Sequence, residues 1–178
     1  MTADAETRAR LVGIAREAIR RALRSEPFHP QPLPPPYDRP RALFVTLRRR
    51  DGALRGCIGH LRPVRATLAE EVADCARAAA LSDVRFPPVE EHELDELAIE
   101  ISLLGTPEPV GSAAELDPRR YGVIVSRGSR RGVLLPDIEG VDTPEQQLAI
   151  AARKAGLAPD EPYAIERFTV EKIVEDGT

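Results

Sequence analysis

Hydrophobic residues recur with the period of a helix over residues 4–24, where Leu11, Ala15, Ala18 and Ala22 share one stripe and Ile14 and Ile19 widen it. That spacing predicts an amphipathic helix. Residues 27–40 interrupt it with seven of the chain's seventeen prolines. Proline lacks the N–H that a helix or an inner strand needs, so this stretch reads as an extended surface connector. A partner-binding polyproline segment is the second reading. The period then falls to two. Over residues 41–49, Leu43, Val45 and Leu47 face one side and Ala42, Phe44 and Thr46 the other. Asp51-Gly52 offers two residues suited to the positive φ of a type I′ turn, with a return strand from Ala53 to about Ile58.

A capping box, Thr67-x-x-Glu70, opens a second helix whose Leu68, Val72, Cys75 or Ala76, and Ala79 share a face. Residues 82–88 end it. Leu97, Ile99, Ile101 and Leu103 alternate with Ala98, Glu100, Ser102 and Leu104 as in a strand. Two more strands, near 121–126 and 132–135, flank an Arg- and Gly-rich turn. Thr143, Pro144 and Gln146 start a third helix, which Gly156 and Leu157 end, and residues 163–174 read as a final strand. Hairpin-linked strands with intervening helices predict an α+β domain, a largely antiparallel sheet with flanking helices. A parallel doubly wound sheet fits less well, because helices and strands do not alternate regularly.

A chain of 178 residues suits a single domain with a proper core, needing neither disulfide nor metal. Aromatics make up only 4%, so aliphatic and alanine packing must build that core, and nucleic-acid recognition by base stacking is disfavoured. A net charge of −4 gives no global attraction to nucleic acid or to an anionic membrane. Two cysteines, Cys57 and Cys75, outside any CxxC pair, exclude a disulfide scaffold and fit a reducing, cytoplasmic compartment. No apolar run reaches membrane-spanning length.

The candidate chemistry lies in Leu54-Arg55-Gly56-Cys57-Ile58-Gly59-His60. Glycines inside a strand leave gaps in its side-chain layer and mark a bulge, a bend or a close backbone approach. The Cys57 thiol stands between two of them, and Arg55, two residues earlier, shares its face if the strand is regular. A guanidinium there would favour thiolate and offer a fork for a carboxylate or phosphate. Equally, Cys57 reads as a small buried filler between glycines that bend the strand. His60 invites a dyad with Cys57, but three residues along a strand place the two on opposite faces. No second histidine or carboxylate stands at metal spacing from either residue, His29 and His92 read as surface residues, and no metal site is expected. Cys75, on its alanine stripe, reads as core. In Asp83-Val84-Arg85-Phe86-Pro87-Pro88, Asp83 and Arg85 are expected to pair and pin the loop while Phe86 plugs the core. The alternative joins Arg85 to Arg55 and Arg62 in an anion-binding rim. Residues 132–136 lack both the GxGxxG and the Walker pattern, and no cofactor is named by the sequence.

These segments, in this order, resemble the AMMECR domain family, which includes the microbial AmmeMemoRadiSam system protein A. The hexapeptide LRGCIG stands at 54–59, followed by His60-Leu61-Arg62-Pro63, the 83–88 block, LAIEISLL at 97–104, Tyr121-Gly122-Val123, GVLLP at 132–136 and Lys154-Ala155-Gly156-Leu157. The likeness runs from about Arg8 to Val174. It implies an α+β fold in two unequal subdomains, the larger combining the N- and C-terminal parts, with a cleft at the hexapeptide. It implies Arg55, Gly56, Cys57 and Gly59 as motif residues, supported by Asp83, Arg85 and Phe86. It also implies Memo-like and radical SAM proteins as pathway partners, without naming a substrate. Two departures stand out. Val84 occupies a position where many relatives place proline, and residues 137–143 lack the Gln and Trp that relatives often carry there.

Two functional expectations follow. In the first, the protein is an enzyme or enzyme subunit acting on a small anionic molecule in a cleft beside Cys57. Cys57 is then a nucleophile or redox thiol, Arg55 lowers its pKa and holds the substrate, and backbone N–H groups around Gly56 and Gly59 face an oxyanion. Arg62, Asp83, Arg85 and Phe86 complete that site. In the second, the protein is a non-catalytic binding or adaptor module for a protein or nucleotide, and Cys57 is structural. RNA binding through Arg48, Arg49 and Arg50 is disfavoured by the charge balance.

Overall fold

The computed structural model describes residues 3–175. In chain order the elements are α1 (Ala5–Leu23), β1 (Leu43–Arg48), β2 (Leu54–His60), α2 (Leu68–Leu81), β3 (Ala98–Leu104), β4 (Glu108–Val110), β5 (Gly122–Arg127), β6 (Arg130–Leu134), α3 (Pro144–Lys154), β7 (Ala164–Phe168) and β8 (Val170–Val174). They divide into two compact units, Met1–Leu103 with Glu171–Thr178, and Leu104–Val170. The fold is α+β with helices flanking the sheets, as expected, and its strands form two four-stranded sheets, ordered β2-β1-β3-β8 and β4-β7-β5-β6.

In the first unit, alternation along β1 and β3 sends Leu43, Val45, Leu47, Ile99, Ile101 and Leu103 to one face, where all are fully buried. They form one cluster with Leu11 and Ile19 of α1 and Leu68, Val72 and Ala76 of α2. Both helices start as their sequences dictate: Asp4 caps α1 by accepting the Thr7 N–H, and Thr67 with Glu70 makes the reciprocal capping box of α2. The proline-rich stretch is more than a surface connector, because Leu33 and Tyr37 within it are buried in the same cluster. Prolines remove hydrogen bonds from a segment without preventing the side chains between them from packing.

The β1–β2 hairpin forms, but its turn is not type I′. Gly52 alone takes a positive φ, +83°, its N–H bonds the Arg49 carbonyl, and the Asp51 carboxylate accepts the Ala53 N–H. This is a longer loop closed by one left-handed glycine. A second difference concerns residues 163–174, expected as one strand. They form β7 and β8, which enter different sheets on either side of Thr169, whose carbonyl accepts the Gly105 N–H. Apolar alternation continues across the break, so periodicity alone does not register the change of sheet.

Gly56 of β2 faces α2 so closely that a Cβ there would collide with the Ala79 carbonyl oxygen. In the second unit β5, β6 and α3 surround Val123, Val125, Leu134, Leu148 and Ala151. No helix among the described residues is long and apolar enough to cross a membrane. Gly56→Ala is expected to lower unfolding stability by about 2 kcal/mol, because the collision is with backbone rather than a movable side chain. Gly13→Ala, inside α1 with nothing within 4 Å of the new Cβ, is expected to raise it by roughly 0.5–1 kcal/mol. Urea unfolding of both variants checks the opposite signs.

Candidate functional site

β2 is an edge strand, paired with β1 alone. Its register runs from His60 opposite Leu43 to Gly56 opposite Leu47 and then slips, so that Leu54 lies opposite Arg48 and Arg55 is the extra residue of a bulge. The bulge breaks the regular alternation that would have put Arg55 beside Cys57. Arg55 is instead buried, at 2% exposure, and makes a two-pronged ion pair with Glu93 at 2.9 and 2.8 Å. It also donates to the carbonyls of Pro87 and Pro88. The Glu93 carboxyl is held down at about 2, chiefly by this guanidinium. Arg55 therefore fastens the 82–96 segment to the strand, and it is not the cation beside the thiol.

That cation is Arg85. Cys57 lies opposite Thr46, on the face away from Val45 and Leu47, half-buried, with its Sγ 3.3 Å from the Thr46 hydroxyl. Its backbone N–H donates to Asp83 Oδ2 at 2.8 Å, and its carbonyl accepts from Arg85 Nη2 at 3.1 Å. Asp83 and Arg85 are joined to each other at 2.9 and 2.6 Å. One carboxylate and one guanidinium thus supply the acceptor and donor that a neighbouring strand would supply, closing the open edge of β2. Asp83 lies well below the usual carboxylate range, first because of Arg85 and then because the N–H groups of Cys57 and Arg85 bond its charged form. Asp83, and after it the Cys57 thiol, favour the charged Arg85 guanidinium against the cost of partial burial.

The remaining expectations fare unequally. Phe86 does not plug the core; it is half-buried beneath Arg85, whose Cζ stands 5.6 Å from the ring centroid. Arg62 is exposed, with no hydrogen bond or ion pair among the described residues, and Arg55 is turned to Glu93, so the three arginines form no common rim. The gaps left by the glycines are filled by protein: Ala79 at Gly56, and Leu43 with the Phe44 ring at Gly59. His60 turns to α2, where its Nδ1 lies 2.7 Å from Glu71 Oε1 and 3.6 Å from Cys75 Sγ. Glu71 was not singled out from the sequence. Its signal is a carboxylate at a core position of an amphipathic helix, one residue before Val72. Ser102, equally unmarked, lies opposite Phe44 on the Cys57 face, and its buried hydroxyl has no partner.

A family model described as AMMECR1 matches residues 12–173. The chain belongs to the AMMECR1 family. A protein of Thermotoga maritima is 54% identical over 137 residues, 76% of this chain and 79% of that protein. One of Methanothermobacter thermautotrophicus is 40% identical, with 94% and 93% covered. A Clostridium acetobutylicum protein is 44% identical over 78% of this chain but only 29% of its own length. The crystal structure of an uncharacterised protein from Pyrococcus horikoshii superimposes with a TM-score of 0.84 at 36% identity, covering 93% of this chain and 90% of that one. The edge strand β2 therefore has two unlike faces, Cys57 with Arg85 on one and the His60 imidazole with Glu71 on the other.

Arg55→Ala is expected to cost about 3 kcal/mol of unfolding stability, since it leaves a partly buried carboxylate and two carbonyls unpaired. Glu93 is depressed in the folded state, so its contribution is complete above its ordinary value of 4.5 and is lost as pH falls toward about 2. Urea titrations across that window are expected to show falling stability in the wild type and a shallower fall in Glu93→Gln.

Proposed function

We propose that this protein is an enzyme or enzyme subunit that handles a small anionic molecule over the Cys57 face of β2, with the thiol as the reacting group. The observation that carries this reading is a half-exposed Cys57 whose own carbonyl accepts from the Arg85 guanidinium, a side chain 54% exposed. A neighbouring cation favours the thiolate, which is the nucleophilic form. Arg85 spends Nε and Nη2 on Asp83 and the Cys57 carbonyl, and its Nη1 carries none of these bonds, leaving two N–H groups for an anion. Asp83 is a positioning residue that fixes both Arg85 and the Cys57 backbone. The Thr46 hydroxyl donates toward the sulfur, and the unpaired Ser102 hydroxyl on the same face invites a polar ligand atom. His60 is turned to α2 and Glu71, so it does not serve Cys57 as a base.

Iodoacetamide alkylation followed by mass spectrometry between about pH 6 and 9 tests this. Cys57 is expected to react faster than the same thiol in denatured protein, and Arg85→Ala is expected to slow it by about tenfold. A Cys57 that reacts no faster than the denatured thiol overturns the reading. A second reading, a non-catalytic binding module with Cys57 structural, is favoured by the Asp83–Arg85 clamp, which engages the Cys57 backbone rather than its sulfur. It expects Cys57→Ser to retain, and Arg85→Ala to lose, whatever small molecule the full chain captures from a metabolite extract.

A further inference from the structure

The other face of β2 carries a second cluster, built from three kinds of metal-ligand atom. Glu71 and Cys75 stand one turn apart on α2, both fully buried, and His60 stands at the end of β2 with its side chain 36% exposed. Their ligand atoms lie within 4.8 Å of one another. The Glu71 carboxylate is held rigidly: Oε2 accepts the N–H groups of Val64 and Arg65, both at 2.8 Å, which leaves Oε1 directed at His60. Burying a carboxylate on a helix face otherwise devoted to leucine, valine and alanine is costly unless it is held in this way. The buried Cys75 thiol is pushed up to about 12, first by desolvation and then by the Glu71 charge, so it is a poor free nucleophile.

The convergence decides what the cluster is for. A Cys–His–Glu relay places the thiol and the carboxylate on the two different ring nitrogens, so that one orients the ring while the other exchanges the proton. Here both approach the same nitrogen, Nδ1. Donors converging on one point suit a shared ion. With metal–nitrogen and metal–sulfur bonds of about 2.0 and 2.3 Å at a tetrahedral angle, N and S stand about 3.5 Å apart. The observed Nδ1–Sγ separation is 3.6 Å and Sγ–Oε1 is 4.0 Å. Two separations must adjust: the 2.7 Å His60–Glu71 hydrogen bond lengthens to about 3.4 Å, ending on the half-exposed ring that is best able to move, and the 4.0 Å Sγ–Oε1 separation closes to about 3.6 Å.

We propose that His60 Nδ1, Glu71 Oε1 and Cys75 Sγ form a binding site for a divalent transition-metal ion of borderline softness, Zn2+ being the reference ion. Imidazole, thiolate and carboxylate together select such an ion over Ca2+ or Mg2+, which take oxygen ligands. Three protein ligands leave a fourth position for water or a ligand. On binding, the thiol proton leaves to solvent and the Nδ1 proton moves to Nε2, so a neutral imidazole site releases one proton per ion.

The test is calorimetric titration of the metal-stripped, reduced full chain with Zn2+, paired with the absorption spectrum of the Co2+-loaded protein. One Zn2+ per chain is expected, with a thiolate-to-Co2+ charge-transfer band, strong four-coordinate d–d bands and a higher melting temperature in the presence of Zn2+. Cys75→Ala is expected to abolish the charge-transfer band. Glu71→Gln and His60→Ala are each expected to weaken Zn2+ by at least about tenfold, whereas Cys57→Ala leaves binding unchanged. His60 is the most exposed of the three, so His60→Ala, with its fold verified by circular dichroism, keeps the test decisive if a helix variant fails to fold. Binding that survives Cys75→Ala or His60→Ala, a Co2+ spectrum without thiolate, or no saturable binding overturns the proposal and leaves a His60–Glu71 hydrogen bond that pins the strand to the helix.

Discussion

The distance between α2 and β2 is set where the Ala79 backbone meets Gly56, and both clusters on β2 depend on it. From Gly56 to His60 is four strand residues, about 13 Å; from Ala79 back to Glu71 is eight helical residues, about 12 Å. The near equality lets one antiparallel packing satisfy the close approach at one end and the His60–Glu71 bond at the other. Beyond the helix end, that same spacing brings Asp83 within reach of the Cys57 N–H. Any side chain at Gly56 would lift the helix, lengthening the His60 contacts and withdrawing the clamp from Cys57 together. The glycine acts on chemistry it does not touch.

Charge in this region is spent inward. Arg55 serves Glu93 and two proline carbonyls, Arg85 serves Asp83 and the Cys57 carbonyl, and Arg16 serves Glu175 with the carbonyls of Leu94 and Leu97. Each guanidinium ties together backbone segments that no strand or helix reaches, which its planar array of donors does better than a lysine ammonium. Edge protection of β2 is one case of this. An exposed strand edge invites pairing with another chain, and the Asp83–Arg85 pair occupies the donor and acceptor at Cys57 that such pairing would use.

What the sequence made legible was whatever repeats or caps. The three helices, with Asp4, Thr67 and Thr143 at their starts, follow from spacing and capping chemistry, as do β1, β3 and the β5–β6 hairpin. What it hid was relational. The bulge at Arg55 is a slip of one strand against another, invisible in either strand alone, and it moved the cation beside Cys57 from position 55 to position 85. Cys75 looked like filler because its alanine neighbours are filler; only the packing of α2 on β2 brings His60 to it from fifteen residues away. The split of residues 163–174 into two sheets was equally unreadable, since Phe168 and Val170 keep the apolar alternation across Thr169.

The second unit repeats the building device without the chemistry. A Cβ on Gly132 of β6 would collide with the Ala151 carbonyl and crowd the Ala155 N–H, so α3 sits on its strand as closely as α2 sits on Gly56. The two glycines solve the same packing problem, and the difference lies in what the neighbouring positions carry. Beside Gly132 stand Arg131 and Val133; beside Gly56 stand a bulged arginine and a thiol, with an imidazole four residues on. Strict alternation after the bulge then sends Ile58 and His60 to the helix and Cys57 to the other face. One short strand can therefore carry two constraints that do not compete, because side chains on its two faces never meet. That separation is the physical reason a glycine-punctuated strand can hold a thiol and an imidazole three residues apart and give each its own partners.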